Sequence, residues 1–220
     1  LWVVINSLKT DVDLFRATWE LPKNPLWQNY SRAWEFGIAR YILNSVLVTS
    51  VSVFLTVTIS LMGAYSLARF EFRFKTFSFI FVLGGLMLSP QVALIPLFRM
   101  LDALGIYNTY LAMILPYVAF GIPFTTFLLR AYILSLPREL EEAALIDGAG
   151  YVGVFRYVIV PLSRPIIASA ALLEAMRVWN EFMFGLTFIE SNHLKTLPVG
   201  IASFSSALRD WKSTRLNSSH

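Results

Sequence analysis

The chain has 220 residues, 56% of them hydrophobic and 15% charged, against about 25% charged in an average soluble domain, so a soluble globular protein is excluded. Eighteen phenylalanines and six tryptophans exceed what a core of this size can bury, whereas apolar runs of about 20 residues span a hydrocarbon layer of about 30 Å. This is the composition of an integral membrane protein. The absence of cysteine excludes disulfides and thiolate metal sites, and the net charge of +4 calls for no nucleic acid, because Lys and Arg of membrane proteins collect in cytoplasmic loops.

The apolar start Leu1 to Ile5 is too short to cross a bilayer and reads as the end of a truncated first transmembrane helix, over residues 1–8. No basic leader or small-residue cleavage site marks a signal peptide. Residues 9–40 read as a periplasmic loop with short helices. It carries Pro22, Pro25, Trp19, Trp27 and Trp34, the tryptophans being either anchors at the membrane–water interface or ordinary packing aromatics.

A transmembrane domain is expected over residues 41–211. Tyr41 to Leu67 is a first complete span without a charge, in which Ser60, Ala64 and Ala68 recur every four residues and admit a close helix neighbour. Arg69, Glu71, Arg73 and Lys75 follow and place that end in the cytoplasm. Phe77 to Leu97 is a second span, broken by Gly84, Gly85, Pro90 and Pro96. Asn108 to Leu129 is a third, broken by Pro116, Gly121 and Pro123. Two broken neighbours suggest either a pathway between helices or kinks made for packing, since the backbone groups freed by proline need a protein or water partner in a membrane.

Leu136 to Pro161 is a charged interruption, and its flanking Arg130, Arg138, Arg156 and Arg164 place it in the cytoplasm. Pro137 suits a first helical position. Glu139, Glu141 and Glu142 then fall at the positive end of the helix dipole, and Gly148 permits a sharp reversal. A helix–turn–helix knob is predicted, and its acidic face favours a protein partner over anionic lipid. Gly148, Gly150 and Gly153 spell G-x-G-x-x-G, but a dinucleotide site needs that motif between a strand and a helix. P-loop, H-E-x-x-H and G-x-S-x-G motifs are absent, which leaves no visible catalytic group.

Pro165 to Ile189 is a fourth span. Glu174, Arg177 and Glu181 lie three and four residues apart, on one helical face. Each charge costs about 2.5–3.5 kcal/mol at the bilayer centre, so a carboxylate–guanidinium–carboxylate ladder facing the interior or water is expected. Its role is structural pairing or, together with Asn180, a lining of a translocation path. Glu190 to Trp211 returns to the outside, with His193 as an ordinary loop histidine. Residues 212–220 (KSTRLNSSH) are expected to be a non-native tail.

Glu142-Ala143-Ala144, three residues, Gly148, nine residues, then Val158-x-Val160-Pro161 resembles the EAA signature of bacterial importer permeases, the membrane subunits of binding-protein-dependent ABC transporters. The family consensus has Ile and Leu where this chain has Val158 and Val160. The wording from Leu136 to Ala149, and Trp179-Asn180-Glu181-Phe182, resembles the carbohydrate branch related to the maltose permease.

The resemblance covers residues 1 to 211. It implies an all-α, polytopic transmembrane helical bundle with the ABC importer permease fold and cytoplasmic coupling helices, and a family helix following Trp211. Glu142, Ala143, Ala144, Asp147 and Gly148, with Pro161 closing the signature, would couple to a cytoplasmic ABC ATPase dimer that carries ATP and Mg. A second permease subunit, an extracytoplasmic solute-binding protein and membrane lipid are the other implied partners, in the bacterial inner membrane. No cofactor, metal or nucleic acid is expected on this chain. The cargo is expected to be a sugar or related polyol. Glu174 and Arg177 fall outside the family pattern. A non-transporting scaffold and an ion-conducting protein are the rival readings.

Overall fold

The computed structural model describes residues 2–9, 20–22, 25–35 and 37–204. Leu1, Trp19, Trp211 and the tail 212–220 lie outside the described residues. Among the described residues every regular element is helical. The helices are α1 (Trp2–Ser7), α2 (Gln28–Glu35), α3 (Ile38–Arg69), α4 (Lys75–Gly84, prolonged by a 3-10 turn Gly85–Met87), α5 (Pro90–Ala103), α6 (Tyr110–Ser135), α7 (Glu139–Ile146), α8 (Tyr151–Leu162), α9 (Arg164–Trp179) and α10 (Met183–Phe188). Residues 197–204 are helical again.

Two of these, α3 and α6, are long and apolar enough to cross a membrane unbroken. With 32 residues, α3 is roughly 48 Å long at 1.5 Å per residue, so it overshoots a hydrocarbon layer of about 30 Å. The two helices pack side by side and run parallel. One cluster joins Val48 of α3 to Ala112, Met113 and Tyr117 of α6, and a second joins Leu61, Ala64 and Ala68 to Leu129 and Ile133. The expected small-residue stripe makes this seam: Ser60, Ala64 and Ala68 are all buried. Helices in lipid gain from van der Waals packing rather than from the hydrophobic effect, and small side chains let the backbones approach.

Parallel packing has a topological consequence. The chain leaves α3 at one face and must enter α6 at the other, so residues 70–109 recross the membrane. They do so as the bent pair of α4 and α5, whose axes differ by 100°. The break falls at Leu88 and Ser89, both in extended conformation, just before Pro90. Proline drives its predecessor out of the helical region, whereas Pro96 stays inside α5.

The expectation that the third span is broken is corrected. Tyr110–Ser135 is one continuous helix despite Pro116 and Pro123. Neighbouring side chains donate to its carbonyls: Arg177 to Tyr117 at 2.6 Å and Ser60 to Ile122 at 3.4 Å. These bonds tie α6 to α9 and α3.

The fourth span is also shorter than predicted. Its helix α9 stops at Trp179, and α10 follows after a break at Asn180 to Phe182. It runs opposite to α6, with Ala170 in the second cluster and Val178 in the first. Arg69, Arg73, Lys75, Arg138, Arg156 and Arg164 gather at the end where α3 and α6 finish, which makes that end cytoplasmic. At the other end, Asn44 of α3 donates to the carbonyls of His193 and Lys195, both at 2.9 Å, and accepts from Tyr110 at 2.9 Å. His193 itself is exposed in this loop. Trp27 and Trp34 of the outer segment are exposed rather than packed.

Candidate functional site

The predicted helix–turn–helix knob forms. Its first arm is α7, capped by Arg138 rather than begun by Pro137, which lies one residue before the cap. The first-turn acids Glu139, Glu141 and Glu142 sit where α7's unpaired N–H groups carry partial positive charge. Gly148 reverses the chain with φ +85°, a left-handed conformation that side chains other than Asn or Asp rarely tolerate. The second arm, α8, contains a five-residue π turn, Phe155–Ile159. Pro161 follows that turn, close to the 74° bend between α8 and α9.

The signature residues divide by exposure. Glu142, Ala143, Asp147 and Gly148 are exposed together on the knob. Beside them Ile146 is 86% and Val152 80% exposed, an apolar tip on a charged knob. Ala144 faces the other way and packs, with Ala149, Phe155 and Val158, onto the cluster that α3 and α6 share with Val154 and Ile159 of α8 and Ala170 of α9. Pro161 is half-buried and away from the tip in sequence. The knob is therefore mounted on the cytoplasmic ends of both long helices. On its rim Lys75 donates to Glu71 at 2.7 Å, and this hydrogen bond holds the Glu71 carboxyl below its ordinary range.

The charges of the fourth span meet, but not as the predicted ladder. Arg177 grips Glu174 through Nε at 2.9 Å and again through Nη2, and Nη2 also donates to the Tyr117 carbonyl. Glu181 lies beyond the end of α9 and takes a different partner, accepting from the Tyr117 hydroxyl at 2.6 Å. Its other oxygen accepts from the Phe184 N–H at 2.9 Å, so it caps α10. Asn180 ends α9 and donates back to the Met176 carbonyl at 2.7 Å. The helix break explains the difference: a common face for all three charges requires a helix that continues through residue 181.

Gly121 and Thr56, which carry no charge, lie beside Glu174. Gly121 leaves room for Glu174, whose carboxylate would collide with a Cβ there. Ser52 and Thr56 of α3 are fully buried, and their hydroxyls have no hydrogen-bond partner. The Glu174 side chain is 4% and the Arg177 side chain 36% exposed, so the guanidinium opens to the surface of the subunit. Sequence reasoning missed Tyr117, which holds both Arg177 and Glu181. Its one signal was a hydroxyl-bearing aromatic next to Pro116 in an apolar run. Among the described residues, no group of three or more His, Cys, Asp or Glu comes together as a metal site.

The structure is thus a transmembrane bundle with a cytoplasmic knob and a polar cluster where α6 meets α9. The family model described as "Binding-protein-dependent transport system inner membrane component" matches residues 56–205. YurM of Bacillus subtilis (strain 168), named "Probable ABC transporter permease protein", is 47% identical over 212 residues, covering 96% of this chain and 71% of the relative. The trehalose/maltose transport system permease protein MalG of Thermococcus litoralis is 38% identical, covering 93% of this chain and 74% of its own length. The diacetylchitobiose uptake system permease protein NgcG of Streptomyces coelicolor is 36% identical, with coverages of 94% and 69%.

The fold is similar to that in a crystal structure of a bacterial ABC transporter involved in the import of the acidic polysaccharide alginate. The TM-score is 0.78 at 21% identity, over 95% of this chain and 78% of that one. The chain belongs to the binding-protein-dependent transport system inner membrane component family. It is a multi-pass, non-enzymatic permease subunit of an ABC importer in the inner membrane. The relatives support transport and lend nothing to a scaffold or an ion-conducting protein.

Proposed function

We propose that the chain carries a sugar or related polyol through the inner membrane as one half of an ATP-driven importer that works by alternating access. The permease names of its relatives, among them trehalose/maltose and diacetylchitobiose systems, support that cargo class. ATP and Mg reside on a separate cytoplasmic ATPase dimer, since this chain has no P-loop. A solute-binding protein delivers the cargo from outside, and a second permease subunit completes the path.

The observation that carries the reading is the exposed tip formed by Glu142, Ala143, Asp147 and Gly148 on a knob packed against both long spans. Closure of the ATPase dimer moves such a knob, and the knob's contacts with the spans pass the movement on. Glu174, Arg177, Asn180 and Glu181 border the path. Arg177, held from one side and open on the other, presents N–H donors to cargo hydroxyls. The test replaces Glu142 with Ala, or Gly148 with Val, in the assembled importer. ATPase co-purification and uptake of labelled oligosaccharides should both fall. Unchanged co-purification together with unchanged uptake sinks the docking assignment.

A further inference from the structure

Glu141, the residue before the signature's Glu142, faces inward. Its carboxylate Oε1 lies 2.5 Å from Arg69 Nε, and the two side chains are 12% and 7% exposed. Arg69 is the last residue of α3. Its Nη2 donates at 2.9 Å to the main-chain carbonyl of Leu136, the residue that caps α6. One guanidinium thus joins the ends of both parallel spans to the knob's first arm. Rings reinforce the junction: Tyr65 lies 5.5 Å from Phe70 and 5.2 Å from Phe155, and Phe70 lies 5.3 Å from Tyr151 of the second arm. A cleft of about 290 Å³ opens beside the pair, lined by Arg69, Arg138, Glu141 and Glu142 among others.

The chemistry of this pair favours orientation over stability. Burying two ions costs several kcal/mol each before their attraction is counted, and an apolar replacement is often as stable. The contact is also poorly aligned, for neither Arg69 Nε nor Glu141 Oε1 makes a hydrogen bond. Coupling between two sites requires contacts that differ between the two states. A misaligned pair beside an open cleft can realign or part as the knob tilts.

We propose that Arg69 and Glu141 are positioning residues that transmit movement of the coupling knob to α3 and α6. This rests on the docking assignment of the preceding section, and it concerns the inward face of the knob rather than the outward one. Tilting α7 drags the carboxylate, the carboxylate pulls the guanidinium, and the guanidinium moves the ends of both spans together.

The experiment uses the assembled importer in nanodiscs: this permease, its ATPase subunits and its second permease. Amide hydrogen exchange is read without nucleotide and after trapping with ATP, Mg and vanadate, so no cargo is needed. In the unaltered protein, exchange near the cytoplasmic ends of α3 and α6 should change at least about three-fold on trapping, since exchange reports local opening. With Arg69→Gln or Glu141→Gln the ATPase should still co-purify and hydrolyse ATP. The change should then stay within α7 and α8, and the double exchange Arg69→Glu with Glu141→Arg should return it to the spans.

The proposal is overturned if the single variants transmit the change normally, if the exchanged pair restores nothing, or if the unaltered spans do not respond. Loss of assembly in every variant would also overturn it, by showing an anchor needed only for folding. Failure of the docking assignment looks different: the ATPase would then co-purify undiminished with Glu142→Ala and Gly148→Val.

Discussion

Tyr117 donates its hydroxyl proton to Glu181 over 2.6 Å while its main-chain carbonyl accepts from Arg177 at the same distance. One residue of α6 therefore fixes both sides of the break between α9 and α10. Its ring stacks on Phe184 at 5.9 Å and is almost fully buried. Tyr117→Phe should keep the stacking and remove the hydroxyl. Glu181 would retain only its contacts with the N–H groups of Phe184 and Gly185, and a hydrogen bond to a charged group contributes about 1.5–3 kcal/mol. Thermal unfolding of the purified permease should show a lowered Tm. An unchanged Tm would mean that water or another donor replaces the phenol.

Gly121 offers a sharper steric test. A Cβ there meets Thr56 Cγ2 at 2.8 Å as well as the Glu174 carboxylate, and overpacking a tight interior costs about 1–3 kcal/mol. Gly121→Ala should lower both Tm and uptake. Gly84, also helical, has open space where its Cβ would go, so Gly84→Ala should leave both unchanged. Equal behaviour of the two variants would contradict the packing of α9 against α3 and α6.

Much of the bundle was legible in the sequence because its signals are local. The charge-free run from Tyr41, the small residues at 60, 64 and 68, and the knob with its glycine turn depend on neighbours a few positions away. What could not be read depends on pairings across the chain. Pro116 and Pro123 look like breaks, yet α6 runs through both, packed against α3 and α9. The spacing of Glu174, Arg177 and Glu181 implies one face only if the helix continues, and the helix stops at Trp179. Glu141 and Glu142 are indistinguishable as letters. Arg69, 72 positions before Glu141, buries one and leaves the other on the surface.

The Glu174–Arg177 pair separates a structural role from a transport role. Arg177→Met leaves a carboxylate that is 4% exposed without its cation, a loss of about 3–5 kcal/mol for a buried pair, reduced by the partial exposure of the guanidinium. Adding Glu174→Gln should recover most of that loss, because a neutral amide tolerates burial better than an orphaned charge. Uptake should stay low in the double variant if Arg177 presents donors to the cargo. Recovery of uptake together with Tm would show that the pair only holds the helices.

The turn of the knob can be tested without touching any charge. At φ +85°, a residue with a Cβ pays about 1–2 kcal/mol for the left-handed conformation, more when β-branched, while Asn often adopts it at helix ends. Gly148 has open space where a Cβ would go, so any penalty at this position comes from the backbone alone. Gly148→Asn should keep ATPase co-purification near normal, and Gly148→Val should reduce it by tilting the tip that carries Glu142 and Asp147. Gly153 is an internal control, since its added Cβ meets only Ala149 at 3.4 Å and its φ is not positive. Gly153→Ala should dock the ATPase normally. If Gly148→Val docks as well as Gly148→Asn, the direction of the reversal does not govern the docking surface.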